Sequence, residues 1–185
     1  MSSIDHRALL TLVEALSFSA DRHRTQTRKD AENSPYINHP IEVLRTLIAV
    51  GKITDTNVLA AALLHDTVED TDATHEELSA QFGDTIAGIV AEVTDDQSLR
   101  SDERKRLQVE RTPYASPEAK LVKLGDKIAN IRDIVTAPPR HWSTERRRNY
   151  VNWANEVIAG TRGTNEALEQ EFEALRDSAI QHLTD

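Results

Sequence analysis

Apolar positions recur along this chain at spacings of three and four residues, with polar side chains between them, the period of an amphipathic helix. Leu9, Leu12, Val13, Leu16 and Ala20 predict a first helix that Asp5 caps. A polar connection follows over residues 23–38, longer than the roughly 2–8 residues usual between helices, and long connections of this kind are often functional. His39-Pro40 opens a second helix, with Pro in the first turn where its missing N–H is harmless, and Gly51 stops it. Thr54 or Asp55 caps a third, predicted to run unbroken to about Asp70. Thr74 starts a short helix, and another segment follows Gly83. Ser101-Asp102-Glu103 begins a charged helix that ends before Pro113. Ser116-Pro117-Glu118 combines a cap residue, a first-turn Pro and an acid at the positive helix end, and that helix reaches about Ile134. Pro138-Pro139 breaks the chain before two last long helices. The pattern predicts an all-α fold, one compact helical domain over residues 1–185.

The third helix carries a conflict. On a helical wheel Val58, Leu59, Ala61, Ala62, Leu63, Leu64 and Val68 surround most of the circumference, leaving Asn57, Ala60 and Thr67 as the side that need not be buried. A helix apolar nearly all round is central. Yet its last turns hold His65, Asp66, Glu69 and Asp70, which share one broad face. Three acids at a helix C-terminus oppose the macrodipole, and buried carboxylates without a cation are strongly unfavourable. A divalent metal ion resolves both problems; the alternative is an exposed helix end with solvated acids. Further candidate ligands are His39, in Tyr36-Ile37-Asn38-His39-Pro40, and Asp126, which pairs with Asn130 at i, i+4 on an apolar helix. Two imidazoles and two carboxylates suit Mn²⁺, Fe²⁺ or Zn²⁺ better than a soft metal.

Composition narrows the function. The 185 residues contain no cysteine, which excludes a disulfide scaffold, a thiolate metal site and a cysteine nucleophile. Net charge is −9, against non-specific nucleic-acid binding, though local charge can still hold a small phosphorylated ligand. No secretory signal and no apolar run of the ~20 residues needed to cross a bilayer is evident, so a soluble cytoplasmic protein is expected.

His39, the His65-Asp66 doublet and Asp126 resemble the H…HD…D signature of the HD phosphohydrolase superfamily. Arg28-Lys29-Asp30, Pro35 to Pro40, Leu63 to Thr71 and Leu121 to Lys127 resemble the hydrolase domain of RelA/SpoT proteins, most closely the small single-domain alarmone hydrolases that include animal homologs. Val93 to Asp96, Glu103 to Gln108 and Gly163 to Asn165 extend the likeness to about residues 15–169. The resemblance implies a Mn²⁺-dependent enzyme that removes pyrophosphate from the 3′ position of (p)ppGpp. It places His39, His65, Asp66 and Asp126 as metal ligands and Glu69 and Asp70 as the catalytic acids. It places Arg28, Lys29 and Asn130 at the nucleotide. It implies hydrolysis without alarmone synthesis. Trp142, Arg146 and Tyr150, at i, i+4 and i+8, read as one helical stripe that either packs, extended by Trp153 and Val157, or borders the nucleotide. Arg22 and Arg24 read as solvated, and His6, His23, His75, His141 and His182 as surface or structural residues. Gly125 departs from the alanine usual before the metal aspartate, and no lysine stands at Arg100-Ser101 where the animal homolog has one nearby. Other readings are an NADPH 2′-phosphatase, another HD nucleotide phosphohydrolase, or a non-catalytic nucleotide sensor.

Overall fold

A computed structural model describes residues 5–184. Among these it contains ten α-helices: α1 (His6–Arg22), α2 (Asn38–Ala49), α3 (Thr56–Leu64), α4 (Thr67–Asp70), α5 (His75–Phe82), α6 (Asp84–Val93), α7 (Ser101–Arg111), α8 (Pro117–Thr136), α9 (Thr144–Ala159) and α10 (Glu166–His182). A 3-10 turn, Thr112–Tyr114, separates α7 from α8, and the extended structure is an isolated bridge between Thr27 and Pro35. The all-α expectation holds. No helix among the described residues is long and apolar enough to cross a membrane.

The predicted starts follow from side-chain caps. Asp5 accepts from the Arg7 and Ala8 N–H groups, Asp55 from Asn57, Thr74 from Glu77 and Ser116 from Ala119. Each satisfies a donor that the first helical turn leaves without a partner. Helix α3 lies at the centre, with α1, α2, α6 and α8 against it. All seven residues from Val58 to Leu64 are buried. Ala60 and Thr67, expected on an open side, are fully buried too. Asn57 alone of the three stays partly exposed; the 100° wheel presumed an uninterrupted helix with one spare face, whereas α3 is packed on every side from Val58 onward.

That helix is also not continuous to Asp70. It ends at Leu64, and α4 begins at Thr67. The His65 ring Nδ1–H donates to the Ala62 carbonyl at 2.8 Å, and the Thr67 hydroxyl donates to the Leu64 carbonyl at 2.7 Å. Side chains thereby take two acceptors of the helical ladder, the local competition that interrupts a helix. The break changes the electrostatics: Asp66 stands at the start of α4 rather than deep in the tail of a long helix.

The 23–38 connection is folded. Arg28 N–H donates to the Ser34 carbonyl at 2.8 Å and Tyr36 N–H to the Gln26 carbonyl at 3.0 Å, while Asp30 accepts from the Ser34 N–H and hydroxyl. This small hairpin presents Arg28, Lys29 and Tyr36. Arg24 is exposed, as expected, and pairs with Asp21 at the surface, whereas Arg22 is half-buried and pairs with Asp72 and Glu77.

Gly125 has a packing reason. A Cβ there would stand 3.0 Å from Val43 Cγ1 and 3.2 Å from Leu47 Cδ2, where α8 crosses α2. Gly88, in the middle of α6, has nothing within 4 Å of the same position. Gly88→Ala is therefore expected to raise unfolding free energy by about 0.5–1 kcal/mol, the helix-propensity gain. Gly125→Ala is expected to lose that gain to overpacking and fall at least about 1 kcal/mol below Gly88→Ala in urea titrations at a common m-value.

Candidate active site

Four side chains from three separate segments meet beneath α3. His39 comes from the first turn of α2, His65 and Asp66 from the break after α3, and Asp126 from the middle of α8. His39 Nε2 is 3.2 Å from Asp126 Oδ1 and 3.6 Å from Asp66 Oδ2. His65 Nε2 is 3.0 Å from Asp66 Oδ2 and 3.9 Å from Asp126 Oδ1. Donors about 2 Å from a shared ion lie roughly 3–4 Å apart, so these spacings suit a divalent cation. Ligand atoms of His39, His65 and Asp126 all fall within 4.8 Å of one another.

The chemistry of the donors points the same way. The Ala62 carbonyl holds the proton on His65 Nδ1 and leaves Nε2 facing the cluster, where it is buried without a hydrogen bond. Burial works to lower the His65 pKa, but the neighbouring Asp66 carboxylate drives it up to about 9. Burial would raise Asp66, yet His65 and His39 hold it well below the usual carboxylate range. Asp126 is likewise held low against burial by the Lys127 ammonium and His39. The cluster calls for positive charge, and a metal ion can supply it in place of imidazole protons.

Each carboxylate is oriented by a partner. Tyr36 Oη donates to Asp66 Oδ2 at 2.6 Å, Asn130 Nδ2 to Asp126 Oδ1 at 2.5 Å, and Lys127 Nζ to Asp126 Oδ2 at 2.7 Å. Burial first, then Asp66, raises the Tyr36 phenol pKa, keeping it a donor. Asp126 is thus not the surface charge that an Asp beside a Lys suggests in isolation. Lys127 is itself buried, with Nζ 4.8 Å from the Trp153 ring centre.

Glu69 and Asp70 stand beside the cluster on α4. Glu69 Oε2 accepts the Asp95 N–H at 2.9 Å, which ties α4 to the α6–α7 loop. Burial raises the Glu69 carboxyl to about 7 against that hydrogen bond, with Asp95, Asp66 and Asp70 adding to the rise. A carboxyl near neutrality can both take and give a proton. Asp70 is open to solvent, but its concave surroundings, and then Asp66, raise its carboxyl as well.

Two connected spaces serve this centre. An inner cavity of about 170 Å³ is walled by the four cluster residues with Glu69, Lys123, Lys127 and Asn130. An outer cleft of about 440 Å³ is lined by Arg28, Lys29, Asp70, Asn130 and Trp142, among others. Tyr36, Asp70 and Asn130 border both. Arg28 lies over the Tyr36 ring and pairs with Asp133. Lys29 is exposed on the rim, and its carbonyl accepts the Arg140 N–H.

The expected stripe is altered in one respect. Trp142 lies before α9, not on it, because Ser143 caps that helix. Its ring still lies 5.5 Å from Tyr150, Arg146 sits 4.5 Å over it, and Tyr150 meets Trp153 at 5.3 Å. Trp142 lines the outer cleft, whereas exposed Arg146 and half-buried Tyr150 are not part of its lining and Val157 is core. His23 is buried, not a surface group: its ring packs 4.7 Å from Tyr36 and bonds Gln26, whose amide donates to the Asp70 carbonyl. Tyr36, Lys123 and Lys127 were not singled out by sequence reasoning. The signal for the two lysines was the i, i+3, i+4, i+7 set of Lys123, Asp126, Lys127 and Asn130 on one face of α8.

A model of the HD domain family matches residues 15–156. The chain is 54% identical over 164 residues to the Danio rerio protein named guanosine-3′,5′-bis(diphosphate) 3′-pyrophosphohydrolase MESH1, covering 89% of this chain and 91% of that protein. It is 53% identical over the same length to the Homo sapiens protein of that name, covering 89% and 92%. A solved structure described as a metazoan ortholog of SpoT that hydrolyzes ppGpp superposes with a TM-score of 0.88 at 46% identity, covering 91% of this chain and 94% of that one. A Listeria monocytogenes crystal structure matches at a TM-score of 0.65 and 28% identity, covering 77% and 99%. With its family match spanning the α1–α9 bundle and all four clustered residues, this chain belongs to the HD domain family.

Proposed function

We propose that this chain is a divalent-metal-dependent 3′-pyrophosphohydrolase of guanosine 3′,5′-bis(diphosphate), yielding GDP (or GTP from the pentaphosphate) and pyrophosphate. One observation carries the reading: two imidazoles and two carboxylates converge at metal-ligand spacing beside a partly buried glutamate, in a chain half identical to relatives named for this reaction.

His39, His65, Asp66 and Asp126 are the proposed ligands, and the mixed nitrogen–oxygen set suits Mn²⁺. When bound, such an ion polarises a phosphate oxygen and makes water more acidic. Glu69 and Asp70 orient the attacking water and take its proton, as one coupled pair. Water oxygen bonds to the phosphorus carried on the ribose 3′-oxygen. The P–O3′ bond breaks, O3′ acquires a proton, and pyrophosphate departs. Arg28, Lys29 and Asn130 hold the nucleotide in the outer cleft, with Trp142 as a stacking wall and Arg146 and Tyr150 supporting it. Tyr36, Lys127 and Asn130 keep the two ligand carboxylates in place. The substrate is a small nucleotide, and a cysteine-free chain suits the cytoplasm.

The intact acid pair disfavours a sensor that only binds. An NADPH 2′-phosphatase would use the same centre, so parallel assays separate the two. Purified protein with Mn²⁺ is expected to convert ppGpp to equimolar GDP and pyrophosphate by ion-exchange chromatography, with chelator abolishing turnover and Mn²⁺ restoring it. Negligible ppGpp turnover beside active NADPH dephosphorylation would overturn the assignment. Glu69→Gln is expected to lower kcat about a hundredfold or more with little change in KM, the signature of a lost proton acceptor. Unchanged kcat would remove Glu69 from that role.

A further inference from the structure

We propose that Lys123 forms a subsite for the terminal phosphate of the substrate's 3′-diphosphate, at the inner end of the metal cavity. The inference rests on the pyrophosphohydrolase reading and adds a residue that selects diphosphate over monophosphate.

Lys123 is only 7% exposed, yet among the described residues its ammonium has no ion-pair or hydrogen-bond partner. The other buried lysine, Lys127, is paired with Asp126 at 2.7 Å. An unpaired buried cation is costly, and an apolar helix face could have carried methionine there instead. The carboxylates that face Lys123 are Asp95, Asp126 and Glu69, all beyond ion-pair distance. Each has another partner: Asp95 accepts from the Gln108 amide, Asp126 from Asn130 and Lys127, and Glu69 from the Asp95 N–H.

Position supplies the ligand. Asn130, Asp126 and Lys123 succeed one another along one face of α8, spanning about 10 Å of helix axis. Asn130 borders the outer cleft and the inner cavity. Lys123 borders the inner cavity and a pocket beyond it lined by Arg104 and Arg111, but not the outer cleft. A nucleoside that enters through the cleft and sets its first phosphate beside Asp126 must extend a second phosphate toward Lys123. A monophosphate stops short. The ammonium neither makes nor breaks a bond; it holds terminal oxygens by charge-assisted hydrogen bonds.

The test compares guanosine 5′-diphosphate bearing a 3′-diphosphate with the same compound bearing a 3′-monophosphate, in the Mn²⁺-loaded protein and in Lys123→Met. The ratio of kcat/KM for the diphosphate over the monophosphate is expected to fall at least about tenfold in Lys123→Met and to recover in part in Lys123→Arg. A structural role would lower both substrates together, and equal losses overturn the proposal. Calorimetry gives a readout independent of turnover: the wild-type protein should bind inorganic pyrophosphate at least about tenfold more tightly than orthophosphate, a preference that Lys123→Met removes. Absence of that preference in the wild type overturns the subsite even if the variant does not fold. A wild type that keeps the Lys123-dependent preference but does not hydrolyse ppGpp would overturn the substrate reading and leave the subsite standing.

Discussion

Carboxylates gathered at the end of a fully buried helix impose the constraint around which this molecule is organised. Helix α3 is buried from Val58 to Leu64, so the chain beyond begins inside the bundle. The next two residues are His65 and Asp66, met there by His39 and Asp126. Such a group is tolerable only when every anion is paired and every imidazole has a use. Lys127, Tyr36 and Asn130 provide much of the pairing, and the remaining demand for positive charge is what makes the cluster a candidate metal centre.

The break after α3 is the local device that makes this possible. Were the helix continuous, His65 and Asp66 would diverge by 100°. Because the His65 ring and the Thr67 hydroxyl capture carbonyls from the preceding turn, the backbone tightens and the two side chains come within 3.0 Å. Beyond the same turn, α4 carries Glu69, which accepts the Asp95 N–H. Glu69, the His65–Asp66 cluster and the α6–α7 loop are thereby tied through short polar contacts, an arrangement that favours preorganisation over flexibility.

Helix α8 acts as the ruler of the site. One face carries Lys123, Asp126, Lys127 and Asn130 across eight residues, with apolar Val122, Leu124 and Ile128 buried beside them. Gly125 lets that helix lie close against Val43 and Leu47 of α2, the helix that carries His39. The departure from alanine is thus a matter of interhelical distance, and it brings together the helices that carry His39 and Asp126. The hairpin between α1 and α2 forms another wall, where Arg28 lines the outer cleft and Tyr36 borders both it and the inner cavity.

Much was determined by the sequence itself. Asp5, Asp55, Thr74 and Ser116 mark helix starts through local hydrogen bonds, and three- and four-residue apolar spacing sets the all-α class. The four ligand candidates were legible because charge in an apolar helix contradicts its surroundings, and a family pattern joined residues too distant to connect by spacing. Tertiary structure alone decided the rest. It placed the break at His65, because side-chain capture of carbonyls competes with a ladder that a wheel takes for granted. It buried Ala60 and His23, because neighbours from other helices cover faces that periodicity leaves open. It set Trp142 beside Tyr150 from outside the helix, and left the Lys123 ammonium without an ion-pair partner among the described residues, beside the inner cavity. Periodicity and capping are properties of near neighbours in the chain, whereas burial and ion pairing depend on which distant segments arrive.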